Sequence, residues 1–200
     1  MSKEELLDRL RREVESCRRC DLWRTRRKPV LGEGPADAEI MLVGLGPGRQ
    51  EDLQGRPFVG AAGKFLDQLL SEAGLRREDV YITNVMKCFL PENRATGEQV
   101  EACAPYLDRQ IEIIEPRLII ALGNLAVAYL FGKFGLKVEP MERIHGKLYK
   151  FSTLTRSGHI IPMYHPASAL RNPGLRGRLV EDWRMLKPVL VKLGLRRENA

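Results

Sequence analysis

The chemistry this sequence offers rests on four cysteines, one histidine-led run and one asparagine closing an apolar stretch. The cysteines are Cys17, Cys20, Cys88 and Cys103. Cys17-Arg-Arg-Cys20 forms a C-x2-C pair, and the other two thiols follow far along the chain. Thiolates at that spacing reach one metal centre from a single turn, and a second pair completes a tetrahedral or cluster site. A thioredoxin-like redox pair and buried apolar cysteines are the alternatives. The C-R-R-C run precedes the first strand rather than sitting on a βαβ turn, which argues against the redox pair. Spacing alone does not separate zinc from iron–sulfur. Of the three histidines, His165 alone follows a predicted strand and opens a basic, proline-bounded loop, His165-Pro-Ala-Ser-Ala-Leu-Arg-Asn-Pro173. Leu170, Arg171, Asn172, Arg176 and Arg178 lie on that loop or just after it, and its cationic and amide groups suit phosphates. His145 and His159 lack such surroundings and read as structural.

Three further stretches could shape a pocket. Gly44-Leu-Gly-Pro-Gly48 follows a strand, yet it is neither G-x-G-x-x-G nor a P-loop with Lys-Ser/Thr. Its glycines let backbone N–H groups approach a ligand closely, or simply make a tight turn. Gly55-Arg-Pro-Phe-Val-Gly60 places Phe58 between two glycines, as a core plug or a stacking surface for a flat ligand. Asn84 ends a buried strand. Its amide can cap the next loop or give one donor and one acceptor to the edge of a planar heterocycle. No lysine stands out as catalytic; Lys64 and Lys87 read as phosphate contacts or solvated charges.

The elements that must position these groups alternate. Residues 3–16 carry Leu6, Leu7, Leu10 and Val14 at helical spacing and feed into the cysteine pair. Strands are predicted at 40–43, 80–84, 118–122 and 160–163. Helices are predicted at 61–73, from about 98 to 114, at 124–131 and from about 178 to 193, with short strands and turns over 144–163. Such alternation implies a mainly parallel sheet covered on both faces, with ligands at the carboxyl ends of the strands. The loops 44–60, 84–97 and 164–178 all follow strands and so fall on one rim.

The chain has 200 residues, 44% of them hydrophobic and 30% charged. That is material for one domain with a real core and excludes a mainly disordered chain. The reading is one domain over 1–200, with 1–34 an N-terminal helix and cysteine-pair segment. The longest apolar run, Leu118 to Gly132, is shorter than the roughly 20 residues a membrane span needs. No signal peptide is visible at the start, so a cytoplasmic protein without a membrane partner is expected. Lys and Arg number 33 against 26 Asp and Glu, a formal +7, which suits a polyanionic partner or simply solubility. A monomer is expected.

Taken in order, Gly44-x-Gly-Pro-Gly48, Gly55-Arg-Pro-Phe-Val-Gly60, Val80-Tyr-Ile-Thr-Asn84, the four cysteines and the His165 run resemble the uracil-DNA glycosylase superfamily. The match is closest to its iron–sulfur-containing family 4 branch and covers nearly the whole chain. The resemblance implies a three-layer α/β/α fold on a mainly parallel four-stranded sheet. It implies a structural [4Fe–4S] cluster on Cys17, Cys20, Cys88 and Cys103, with zinc the alternative. It implies base excision repair: a monofunctional hydrolase that removes uracil from single- or double-stranded DNA and leaves an abasic site. Position by position, Leu45, Gly46 and Pro47 would line the base pocket and Phe58 would stack on the flipped uracil. Asn84 would read its Watson–Crick edge, and His165 would hydrogen-bond O2 as the base departs. Leu170 and Arg171 would sit near the duplex, with Asn172 and Arg176 beside them.

Two positions depart from that pattern. Leu45 stands where family 4 usually has glutamate, and leucine can neither orient water nor stabilise positive charge. Glu51 and Asp52 match acidic positions of the family, and Glu51 is the expected substitute. The leucine is also similar to the first motif of family 5, which accepts a wider set of damaged bases; a damage-binding protein with weak or broadened activity is the alternative reading. His145 replaces an arginine that usually precedes Gly146, which makes that contact pH-sensitive.

Overall fold

A computed structural model of the chain describes residues 1–196. Helix α1 (Lys3–Glu15) starts where Ser2 accepts from the Glu5 amide while the Glu5 side chain returns to the Ser2 amide, a capping box of the kind worth about 1 kcal/mol. It buries Leu7, Leu10 and Val14. Strand β1 (Ile40–Gly44) is followed by α2 (Arg49–Gln54), α3 (Ala61–Glu72) and β2 (Tyr81–Asn84). Helix α4 (Gly97–Ile114), opened by Thr96 and Gln99 in a second capping box, leads to β3 (Leu118–Leu122) and α5 (Asn124–Lys133). The chain closes with α6 (Met141–Ile144), β4 (Tyr149–Ser152), β5 (Ser157–Met163), α7 (Pro166–Arg171), α8 (Arg176–Arg184) and α9 (Leu186–Lys192).

The strands form one sheet in the order β2-β1-β3-β5-β4. All pairings are parallel except β4 with β5. The expected four-stranded parallel sheet is therefore present, but a fifth, antiparallel strand extends it. Residues 149–163 can add that strand because a short turn lets the chain fold directly back on itself, whereas every parallel neighbour needs a helical crossover.

Alternation along the strands sorts the core into two layers. Met41, Val43, Tyr81, Ile119, Ala121 and Ile160 face one side and pack with α1, α4 and α5. Ile40, Leu42, Ile82, Leu118, Ile120 and Leu122 face the other and pack with α3, α8 and α9, where Trp183 is fully buried. Each such large side chain contributes about 1.5–3 kcal/mol. The result is three layers, as expected.

Along the sheet, β1 sends its connection one way to β2, and the chain later returns on its other side to β3. The crevice between the carboxyl ends of β1 and β3 is a topological switch point, where open α/β sheets bind ligands. The register aligns Gly44 with Asn84 and Leu122 with Met163, so the loops after all four parallel strands share one rim. At the far edge, Glu33 forms an antiparallel bridge with Ile82, exchanging both main-chain hydrogen bonds at 2.8 and 3.0 Å.

Three expectations about elements need correction. The stretch 44–60 is not all loop, because α2 occupies its middle. The His165 run is helical from Pro166 to Arg171. The last predicted helix begins at Arg176 and breaks at Met185 into α8 and α9.

Candidate active site

At this rim Gly44 sets the closest approach. A methyl group there would lie 2.5 Å from Asn84 Oδ1 and 2.7 Å from Phe58 Cζ. The missing side chain thus lets an amide and an aromatic ring meet over the end of β1. Asn84 is 2% exposed, and its Oδ1 is one of two fully buried side-chain polar atoms among the described residues that have no hydrogen-bond partner, the other being Trp183 Nε1. A buried acceptor left unpaired costs about 1–3 kcal/mol. It adjoins a cavity of about 110 Å³ lined by Gly46, Gly48, Glu51, Phe58, Asn84, Asn93 and His165, with Ala62 and Ala167. That is the scale of a cavity for one six-membered ring, on the order of 150 Å³. A second cavity of about 420 Å³ shares Gly46, Asn93, His165 and Ala167 with it and opens towards Leu45, Leu122, Asn124, Arg94 and Arg171.

Phe58 holds a left-handed backbone, φ 49°, which a bulky residue adopts only when its surroundings enforce it. Those surroundings are specific. Glu51 Oε1 accepts from the amides of Val59 and Gly60 at 2.8 and 2.9 Å. Arg77 donates to the carbonyls of Pro57 and Phe58 while paired with Glu33 and Asp67. Gly63 lies directly beneath: a methyl group there would come within 1.8 Å of the Phe58 carbonyl oxygen. The sequence reading missed Arg77, which reaches the loop from 19 residues further along the chain, and Gly63, which lies on the first turn of α3; only the glycine inside a helical pattern hinted at a close approach.

His165 caps the start of α7, and its Nδ1 accepts from the Ala167 amide at 3.1 Å. A backbone N–H can only donate, so Nδ1 carries no proton and Nε2 carries it in the neutral ring. Burial pulls the imidazole down to about 4, Arg171 adds to the shift and Glu51 opposes it. At neutral pH the ring is therefore uncharged, with one N–H left to donate. Its face stacks near the Phe58 ring, and Gly123 keeps space beside it: a methyl group there would meet His165 Cβ at 3.1 Å.

Other predicted residues are placed as follows. Gly46 lines both cavities, Leu45 only the larger, and Pro47 is buried without lining either. Asp52 turns away and accepts from the Arg27 amide at 2.8 Å. Leu170 is 47% exposed, and Arg171 reaches the larger cavity. The Asn172 side chain caps the Gly174 amide. Arg176 lies over the Phe65 ring and donates to Gln68, so it is held on α3. His145 pairs with Asp182 at 2.7 Å and packs on Tyr164, a structural link between α6 and α8. Lys64 is exposed, but Lys87 is neither a solvated charge nor a phosphate contact: it is 1% exposed.

The four cysteines converge under the rim. Cys17 and Cys20 pack against the core that contains Cys88 and Cys103, and each of the last three thiols feels at least one of the others electrostatically. Among the described residues no three of His, Cys, Asp or Glu form a group able to hold a single metal ion. The donor set nonetheless fits an anionic sulfur centre. Arg26 donates to Cys88 Sγ and the Lys87 amide to Cys103 Sγ, both at 3.2 Å. Burial pushes the Cys103 thiol up to about 11, with Lys87 opposing.

Fold and site define an α/β protein with a ring-sized cavity at the rim of a mainly parallel sheet. The family profile described as the Uracil DNA glycosylase superfamily matches residues 31–187, and the chain belongs to that superfamily. It is 48% identical over 183 residues to a Type-4 uracil-DNA glycosylase of Archaeoglobus fulgidus, covering 91% of this chain and 92% of that one. It is 47% identical over 186 residues to a Type-4 uracil-DNA glycosylase of Saccharolobus solfataricus, covering 92% and 86%. A Type-5 uracil-DNA glycosylase of Thermus thermophilus is 36% identical over 170 residues, covering 78% and 75%. No described helix is long and apolar enough to cross a membrane.

Proposed function

We propose that this chain is a single-domain, monofunctional uracil-DNA glycosylase of base excision repair. The observation that carries the reading is the buried, unpartnered Asn84 Oδ1 at a ring-sized cavity. Uracil supplies what it lacks. Its N3–H gives Asn84 a donor, and its O4 accepts from the Asn84 amide nitrogen. Cytosine presents the opposite pattern and leaves both groups unsatisfied, a penalty that makes polar sites selective. The base must leave the duplex to arrive there, at a cost of a few kcal/mol, and it lies against the Phe58 ring.

As the N-glycosidic bond breaks, its electron pair goes to the base and the sugar becomes cation-like. The neutral His165 donates from Nε2 to O2, where negative charge grows; one such donor contributes about 3–4 kcal/mol. Water adds to the sugar carbon and the proton it loses neutralises the departed base anion, so the products are free uracil and an abasic site. Among the described residues Glu51 is the only carboxylate lining either cavity. It stands in for the glutamate that Leu45 replaces, holding the Phe58 loop through Oε1 and presenting negative charge to the sugar side. Leu170 fills the gap in the duplex, and Arg171 and Asn172 follow the phosphates, with Arg176 as part of their support.

Cys17, Cys20, Cys88 and Cys103 would hold a [4Fe–4S] cluster. When bound it would supply a structural cross-link between the N-terminal segment, the loop after β2 and α4, which carries Cys103. Metal content distinguishes it from a zinc tetrathiolate.

The test is incubation with a single-uracil oligonucleotide followed by alkali, alongside cytosine and hypoxanthine substrates and a His165→Ala variant. Scission at uracil that collapses in the variant supports the reading. Specific binding without scission favours a damage-binding protein in which Leu45 has removed the chemistry. Scission at hypoxanthine as well marks a broadened base preference.

A further inference from the structure

Lys87 plays no part in the chemistry above, yet it is among the most completely buried charged groups in the chain. No carboxylate pairs with it among the described residues. Its Nζ instead meets three oxygens: the main-chain carbonyl of Asn84 at 2.5 Å, Gln110 Oε1 at 2.6 Å and Thr83 Oγ1 at 2.9 Å. An ammonium has three protons and no acceptor capacity, so each proton has its own partner. The acceptors are themselves fixed. Gln110 Nε2 donates to the Leu31 carbonyl and to Tyr81 Oη, which leaves its oxygen facing the amine. The Thr83 hydroxyl donates to the Leu31 carbonyl at 2.7 Å, which leaves its lone pairs for Lys87.

This amine also lies between two functional groups of one short segment. Asn84 is three residues before it, and Cys88 is one residue after. Its own amide donates to Cys103 Sγ at 3.2 Å. Burying a cation without a counter-ion is costly, and a merely structural role is served as well by a methionine of similar length. What the ammonium adds is a fixed direction for the Asn84 carbonyl, hence for the peptide that carries the base-reading amide.

We propose that Lys87 is a positioning residue that fixes Asn84 against the base and ties it to the cysteine-bearing segment. The proposal rests on the assignment of Asn84 as the base-reading group.

The test is a double-mutant cycle on the full chain with its metal centre loaded, comparing wild type, Lys87→Met, Asn84→Ala and the double variant. Excision from a single-uracil oligonucleotide and the inhibition constant of free uracil are measured, with metal content as a control. Lys87→Met is expected to lower kcat/KM about 10²-fold, the scale of a small misplacement, and to weaken free uracil, with metal content unchanged. In the Asn84→Ala background it should add almost nothing, because residues acting through one another are non-additive. Full multiplicative losses, or a Lys87→Met variant equal to wild type, overturn the proposal. Should Lys87→Met not fold, Thr83→Val removes one acceptor with little change of shape, and the same comparison with Asn84→Ala decides. Failure of the wild type to excise uracil overturns the glycosylase reading together with this one. A damaged Asn84→Ala beside a wild-type-like Lys87→Met overturns this one alone.

Discussion

The Phe58 ring lies 5.5 Å from the imidazole of His165, centroid to centroid, with the planes 25° apart. The two residues come from loops after β1 and β5, which are not neighbours in the sheet. Their stacking joins the two ends of the crevice, and an aromatic pair of this kind contributes about 0.5–1.5 kcal/mol beyond its buried area. The wall that would carry a base is thus built before the base arrives, which saves ordering cost on binding.

Asn84→Asp should separate recognition from simple pocket filling. The carboxylate keeps the acceptor for N3–H but loses the donor for O4 and adds charge. Uracil excision is expected to fall by about 10²–10³-fold, and the buried, unpaired carboxylate should lower thermal stability as well. Retained excision, measured as kcat/KM, would remove Asn84 from base reading.

The acid limb of activity follows His165. The folded ring titrates at about 4, below its ordinary 6.5. As pH falls from 6.5 towards 4, the unfolded chain takes up a proton that the folded one refuses, so stability falls over that window and is level above it. Protonation near 4 turns Nδ1 into a donor facing the Ala167 amide. The kcat/KM profile should therefore stay flat through pH 6 and decline only near 4–5. Arg171→Ala removes a charge that lowers this value, and its acid limb should begin at higher pH.

Glu51→Gln and Glu51→Ala should differ. Glutamine keeps an oxygen for the Val59 and Gly60 amides, so the Phe58 loop and DNA binding survive, while the single-turnover cleavage rate falls. Alanine removes the latch as well, and both binding and rate fall. An unchanged rate in the glutamine variant would take Glu51 out of the mechanism and leave it a loop latch.

Gly44→Ala should close the slot without unfolding the chain. Its methyl group meets Asn84 Oδ1 and Phe58 Cζ, side-chain atoms that can shift at the rim. Free-uracil affinity and excision should both drop at least tenfold, while the melting temperature moves by only a few degrees. Calorimetry with uracil and a thermal melt check the two halves.

Most of the frame was legible because it is written in long, periodic stretches. The apolar runs at 40–43 and 118–122 became β1 and β3, and the Thr96-to-Ile114 stretch carries both a cap and a helical stripe. The short pieces were not legible. Helix α2 has only six residues, too few for a period to show, and α7 is set by His165 accepting from Ala167 rather than by composition. Strand β4 depends on pairing with β5. At the site, Phe58, Asn84 and His165 announced themselves by type and position. Arg77, Gly63 and the burial of Lys87 did not: Arg77 and Lys87 need Phe58 and Gln110 from 19 and 23 residues away, Gly63 needs the unusual backbone of Phe58, and an arginine or lysine read locally defaults to the surface.

The bridge between Glu33 and Ile82 has a consequence for solution behaviour. It occupies main-chain groups of β2 that would otherwise form an open sheet edge, and Arg56 and Arg77 pin the Glu33 carboxylate in place. At the opposite edge β4 is only four residues long, with Lys150 exposed. Short, charged or covered edges are the means by which sheets avoid strand-to-strand aggregation. A Glu33→Pro change would remove the Glu33 amide from the bridge and should make the protein precipitate through β2 on heating.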